Sequence, residues 1–529
     1  MTSLTGTRAL TRLALRLDRV RLTVWVLGLA VMPMGTAANY QKLYPTEADL
    51  QAVKGVLTNP SLVALSGPLF DVSIGGLTAW KIGITEFILI GLMSLLTVVR
   101  HTRTEEETGR LELLRATVIG RHAPLTAALL TAALADVAIA VLIALGLMAT
   151  GLPVAGSIAF GVATGLVGLL FAAIAAAAAQ LTQSARAANS IAGAILGGTY
   201  LLRAAGDTGP TWLSWLSPTG WALHLRAYGD ERWWVVLLFV GFAAVFTAAG
   251  YALADRRDVG AGLIAERPGP AAGAPSLRSP LALAWRLHRG LLIGWTVGLA
   301  LSGAVLGGAA NSINNLESPN QQLTDVLTRM GGKAGLTDAF LAAIFGIVGM
   351  VAAAYTVQAT LRLRQEESSG RVEPILATRV GRLQWAASHL AFALFGTALL
   401  LAVAGLAGGV VYGAEVHDVG GQAGRVFGAA MVQLPAAWVL AGFGMALIGL
   451  LPRLSTLTWA ALILSVLLVE LGALFGLNQY VLDIVPFAHV PKLPGAAFSV
   501  TPLLWLTAVA VALGAAGLFG LRRRDMPVA

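Results

Sequence analysis

Apolar residues fill run after run of about twenty positions along this chain, and short polar stretches separate the runs. A helix of that length crosses a hydrocarbon core of about 30 Å. Lipid offers no partner to a bare backbone group, so helices are the natural way across. The pattern predicts spans near 21–38, 77–99, 125–149, 154–180, 187–205 and 233–254, then near 290–310, 338–360, 386–412, 426–450, 456–477 and 500–521. The expected fold class is therefore an all-α polytopic membrane protein with twelve transmembrane helices.

Charge orients these spans. With both termini placed inside, the inner segments hold 26 of the 36 Lys and Arg residues and the outer segments nine, with Lys81 inside a span. That asymmetry predicts cytoplasmic termini and a multi-pass protein of the cytoplasmic membrane. The net charge of +9 then reflects inner loops, and no nucleic-acid partner is called for. The basic N-terminal stretch runs into a first apolar segment too long for a cleavable signal. There is no cysteine, and no two of the seven His have the i, i+4 spacing of a helical metal site, so no metal centre is expected.

Against this apolar background one segment stands out. Residues 103–121 read "RTEEETGRLELLRATVIGR", with four glutamates and four arginines in nineteen positions. Residues 364–382 read "RQEESSGRVEPILATRVGR". At an offset of 261 the two share ten identities, among them Arg103/Arg364, Glu105/Glu366, Glu106/Glu367, Gly109/Gly370, Arg110/Arg371, Glu112/Glu373 and Arg121/Arg382. Upstream, residues 15–30 match 285–300 at offset 270, and "RRDV" (256–259) echoes "RRDM" (523–526). The chain is thus a tandem repeat: a first six-span half over 1–260, a Pro- and Ala-rich linker over 261–280, and a second half over 281–529. An even number of spans per half makes the repeats parallel, about a pseudo-two-fold along the membrane normal.

In helical geometry Glu106 and Arg110 are i, i+4, as are Glu367 and Arg371, the favourable order for an ion pair. Leu111 and Leu114, matched by Val372 and Ile375, offer an apolar patch. Gly109 and Gly370 permit a bend or a close backbone approach, and Pro374 gives the second copy its own helix start or kink. A loop that only fixed topology would need basic residues and not paired glutamates at matching places. The functional reading is a docking element between a soluble motor and the spans.

The pattern E-E-x-x-G-R-x-E, then A-T, then G-R, between the second and third spans of a six-span unit, resembles the ABC type-2 permease family. The closer resemblance, over essentially the whole chain, is to actinobacterial permeases that fuse two halves and are described as exporters of polyketide antibiotics or other drugs. The resemblance implies that Glu105, Glu106, Gly109, Arg110, Glu112 and Arg121, with Glu366, Glu367, Gly370, Arg371, Glu373 and Arg382, form two cytoplasmic coupling helices. It also implies two copies of a separate ATPase that binds ATP and Mg, and a connecting helix at the N-terminus. There Arg8, Arg12, Arg16 and Arg19 share one helical face and Leu10, Leu13 and Leu17 another. Such a helix either anchors in lipid headgroups or touches the ATPase, and both can hold.

The motor itself is not expected in this chain. None of its five lysines is followed by Ser or Thr, as a Walker A loop requires. No catalytic residues are expected either. Within the spans, Lys81, Glu86, Asp136 and Glu470 are costly if they face lipid. Glu86 and Glu470 either contact substrate in a central cavity, with Phe87, Met93, Leu467 and Phe475 as its apolar lining, or hydrogen-bond between helices. The alternative to ATP-driven export of a lipophilic compound is a proton-driven exporter that uses Glu86, Asp136 and Glu470.

Overall fold

The computed structural model describes residues 2–51, 60–258, 260–264, 272–314, 332–471 and 478–525. Among these residues every regular element is helical and no strand occurs. The chain divides into two compact units, Met1–Gly269 and Pro270–Ala529.

Among the described residues ten helices are long and apolar enough to cross a membrane. In the first unit they are Arg19–Leu43, Ile74–Glu107, Ala123–Ala149, Val154–Leu181 and Val235–Ala254. In the second they are Pro280–Gly308, Thr337–Ser368, Arg382–Glu415, Val419–Leu450 and Val500–Arg523. Twelve were expected, and helices do lie at the remaining two positions. Ala185–Thr208 has the length but also carries Arg186, Asn189, Arg203 and Asp207. Its Arg203 is fully buried and ion-pairs with Asp207 at 3.2 Å. Leu457–Leu471 is apolar but only 15 residues long, and 472–477 lie outside the described residues.

Local chemistry accounts for the helix boundaries. Ser73, Ser184 and Ser217 cap helix starts by accepting from the amides of Gly76, Ala187 and Gly220. Gly151, at φ +85°, turns the chain out of Ala123–Ala149, and Pro153 leads into the next helix. Val419–Leu450 breaks between Met431 and Leu434, where Pro435 enters the first turn of the continuing helix. The stretch 212–221 folds as the helices Trp212–Trp215 and Pro218–His224. Trp221 is buried there, edge-on to Phe239 and Phe242.

Helices of the second unit approach where side chains vanish. A methyl group on Gly307 would overlap the backbone of Gly408, and one on Gly449 that of Gly517. Lipid supplies no hydrophobic drive between helices, so close backbone packing of this kind holds them together.

Candidate functional site

The charged repeat of the first unit begins on the end of a span. The helix Ile74–Glu107 runs through a π-turn at Arg100–Thr104 into Glu105, Glu106 and Glu107. Carboxylates at a helix C-terminus oppose the macrodipole, so cations must compensate. Gly109, at φ +70°, then reverses the chain, and a short helix, Arg110–Arg115, follows. The second unit repeats the plan. Thr337–Ser368 carries Glu366 and Glu367 at its end, Gly370 turns at φ +69°, and the short helix Glu373–Leu376 has Pro374 in its first turn.

This geometry corrects the expected ion pairs. Gly109 and Gly370 interrupt the helix, so i, i+4 spacing across them has no meaning. Arg110 reaches Glu105 instead, at 3.6 Å, and Arg371 reaches Glu366 at 2.8 Å, with Arg362 at 3.6 Å on the same carboxylate.

Glu106 and Glu367 turn inward. Arg257 grips Glu106 with two nitrogens, Nη2–Oε1 at 2.6 Å and Nη1–Oε2 at 2.9 Å, while Arg103 donates to the same Oε2 at 2.7 Å. Arg103 is fully buried and also donates to the carbonyls of Ala179 and Ala261. Arg257 is braced by Gln180 Oε1 at 2.6 Å. In the second unit Arg524 grips Glu367, Nη1–Oε1 at 2.6 Å and Nη2–Oε2 at 2.6 Å, and Arg364 adds a contact of 3.1 Å. The same three-residue clasp, Arg–Glu–Arg, therefore recurs in each unit. Its far arm is the second arginine of the repeated "RRD" that follows the last helix of the unit.

The other end of each repeat is fastened to the same place. Arg121 donates to the carbonyls of Ala254 and Asp255 at 3.1 and 2.9 Å, and Arg382 donates to that of Arg524 at 2.7 Å. Cations here satisfy the open carbonyls at the end of a helix. His122 and Arg121 also flank the Asp255 carboxylate at 2.8 and 3.3 Å. The hydrogen bond from His122 holds that carboxyl below its usual range, with help from the Arg121 charge. Between the two fastened ends lies an exposed tip. In the first unit it presents Thr108, Arg110, Glu112, Leu113 and Val118, with Leu113 75% exposed. In the second it presents Ser368, Arg371, Glu373, Pro374 and Arg379.

The expected apolar patch is also revised. Leu111 and Val372 are buried, because they pack the short helix onto its unit, and the side chain of Leu114 lies outside the described residues. Leu113 and Val118 are the exposed apolar side chains of the first tip.

The N-terminal helix Thr7–Leu17 meets this assembly directly. Backbone bonds join Gly120 N–H to Thr5 O and His122 N–H to Ser3 O, both at 2.9 Å. A side chain on Gly120 would overlap the Ser3 carbonyl. Leu10, Leu13 and Leu17 line a small cavity of about 50 Å³ with His101, Glu105 and Leu111, so this leucine face turns toward the charged repeat. Asp18, just beyond the helix, is buried and paired with Arg100 at 3.0 Å and His101 at 2.8 Å. Its repeat counterpart is His288, which meets His389 at 3.0 Å instead, so the two units lock this joint with different chemistry.

Of the residues considered for a substrate cavity, Glu86, Phe87 and Met93 are buried in the packed interior of the first unit. Phe87 lines a void of only about 30 Å³, room for about one water. Leu467 is 47% exposed on its helix. The side chain of Glu470 and all of Phe475 lie outside the described residues. Asp136 is fully buried and accepts from Ser94 Oγ at 2.6 Å. No group of three His, Cys, Asp or Glu side chains suited to a metal occurs among the described residues.

Sequence reasoning missed Arg257, Arg524 and Asp18. The echo of "RRDV" in "RRDM" was the signal for the first two, since a motif kept at two helix ends has a shared partner to meet.

Comparison with known proteins adds to this geometry. Residues 277–522 match the family described as multidrug efflux system permease Rv1217c, C-terminal domain. The chain is also 48% identical over 525 residues to the multidrug efflux system permease protein Rv1217c of Mycobacterium tuberculosis (strain ATCC 25618 / H37Rv), an alignment covering 99% of this chain and 95% of that protein. Identity at that level across both units, with ten helices able to span a bilayer, means that this chain belongs to the Rv1217c family of multidrug efflux permeases.

Proposed function

We propose that this chain is the membrane permease of an ATP-driven ABC exporter in a bacterial cytoplasmic membrane. It moves lipophilic compounds, drugs or antibiotics among them, out of the cytoplasm or inner leaflet. Two copies of a separate ATPase, which bind the ATP and Mg, dock on the exposed tips of the two charged repeats. In this reading the helices Ala185–Thr208 and Leu457–Leu471 complete twelve spans, in two parallel six-span repeats with both termini cytoplasmic. The observation that carries the reading is the recurrence of one construction: an exposed charged tip, clasped at both ends to the last helix of its unit. Such a tip moves only if the span and the last helix move with it, which is what a coupling element requires.

The test is co-purification with an ATPase encoded beside this chain, followed by drug-stimulated ATP hydrolysis in proteoliposomes. Absence of a stable complex, or transport that ignores ATP, would reject it.

The buried acids favour a second reading, proton-driven export. Glu86 has no hydrogen-bond partner for either oxygen, and Asp136 has none for Oδ2. That reading expects Asp136→Asn to abolish transport and an uncoupler to stop it while ATP is plentiful. The ATP-driven reading expects export to survive the uncoupler.

A further inference from the structure

Beside the N-terminal helix Thr7–Leu17 runs an open groove of about 990 Å³. Ligand sites commonly span about 300–1,000 Å³. One wall is the helix itself, with Thr7, Arg8, Arg12 and Leu15; the other is the span Ala123–Ala149, with Leu130 and Leu134. The walls differ in chemistry. Arg8 and Arg12 are exposed, and neither has an ion-pair partner among the described residues. No side chain caps the start of this helix, which Gly6 enters at φ +88°; Thr7 N–H donates to Leu4 O, and the helix dipole adds positive potential beside Arg8. Leu130 and Leu134 are 44% and 52% exposed, and Val137 and Val141 continue the same helical face further along the span.

A cationic mouth that opens onto an apolar stripe of a membrane helix matches one kind of molecule, an anionic head on a hydrocarbon tail. We propose that this groove binds an anionic glycerophospholipid of the inner leaflet. Its phosphate sits between Arg8, Arg12 and the helix start, and an acyl chain lies along Leu130 and Leu134. This goes beyond a diffuse basic anchor, because the apolar wall makes the site specific to the whole lipid. The inference rests on Ala123–Ala149 crossing the bilayer with the N-terminal helix inside, and is independent of whether ATP drives transport. Since Thr5 and Ser3 accept from the amides of Gly120 and His122 at the end of the charged repeat, an occupied groove would brace the tip of the first unit.

The experiment is native mass spectrometry of the full chain taken from phosphatidylcholine vesicles with or without phosphatidylglycerol. The wild type is expected to retain one phosphatidylglycerol. Arg8→Gln/Arg12→Gln should weaken that binding about twenty-five-fold, at about fivefold per arginine. Arg12→Lys should keep most of it. Leu134→Trp fills the groove without changing charge and should lose it too, with Leu130→Trp as the alternative if that variant elutes aggregated. Retention by both tryptophan variants would reduce the site to surface electrostatics and overturn the proposal. So would retention by the double glutamine variant, or displacement of the lipid by glycerol 3-phosphate, which would indicate a site for soluble phosphates.

Discussion

Arg524 holds Glu367 as a fork, with both terminal guanidinium nitrogens 2.6 Å from the two carboxylate oxygens. Glu367 is 3% exposed, and its partner comes from 157 residues further along the chain. The fork ties the end of one span to the end of another, and Arg257 with Glu106 repeats it in the first unit. Arg257 makes two hydrogen bonds to Glu106, and bidentate charge-assisted bonds of this kind are stronger than neutral ones and fix direction as well as distance.

Removing one arm leaves a buried carboxylate with only one of its two cations, Arg364 or Arg103. Arg524→Ala is expected to destabilise the second unit by about 1.5–3 kcal/mol, and Arg257→Ala the first unit by a similar amount. Neutralising the partner as well should recover much of the loss, so Arg524→Ala/Glu367→Gln should melt above Arg524→Ala alone. Thermal unfolding of the purified chain measures this, and strictly additive effects would refute the clasp.

Gly109 is constrained by conformation and not by space, since a methyl group on it would meet nothing within 4 Å. Holding an L side chain at φ near +70° costs about 1–2 kcal/mol. Gly109→Ala should therefore destabilise by that amount, and Gly109→Asn by less, because Asn tolerates the left-handed region. Equal melting temperatures for the two variants would contradict the assignment.

In the proposed ATP-driven reading, docking of the ATPase falls to the tips. Leu113→Asp and Glu112→Lys should reduce capture of the partner ATPase without lowering the melting temperature, because both side chains are exposed. Glu106→Gln should do the reverse first, loosening the unit and then the coupling. A pull-down paired with a melting curve separates these outcomes.

Asp255 gives the fastening of Arg121 and His122 a pH dependence. Its folded pKa is depressed, so its contribution is present above the unfolded value of about 3.9 and lost as pH falls through the folded one. Wild type and Asp255→Asn should differ in stability at neutral pH and converge in strong acid. The pair is exposed, so added salt should shrink the difference. A gap that persists in acid would place the effect elsewhere.

The N-terminal segment offers a local test. Gly120→Ala would force Ser3 away, so the amides of Gly120 and His122 should exchange hydrogen faster in that variant. Unchanged protection would show that these bonds do not form.

Some of this was legible in the bare sequence. Runs of apolar residues place helices because a hydrocarbon slab tolerates little else, and the duplication of residues 103–121 in 364–382 marks the segment that matters. Residue type alone offered a bend or a close approach at Gly109 and Gly370, and the left-handed φ at both selects the bend. Sequence spacing misled at the ion pairs, where Glu106 was matched to Arg110 on the premise of one unbroken helix. A backbone reversal at a single glycine redirected both side chains, and local periodicity carries no record of that.

The sequence by itself determined the helical class, the duplication and the charge of the two repeats, since each depends on residues close together in the chain. Only the tertiary structure decided which carboxylates are clasped inside and which side chains are presented outside. Glu106 meets Arg257 across 151 residues, and Glu367 meets Arg524 across 157, because folding returns the last helix of each unit to the end of an earlier one. Partners so distant are chosen by packing, which joins surfaces without regard to their order along the chain.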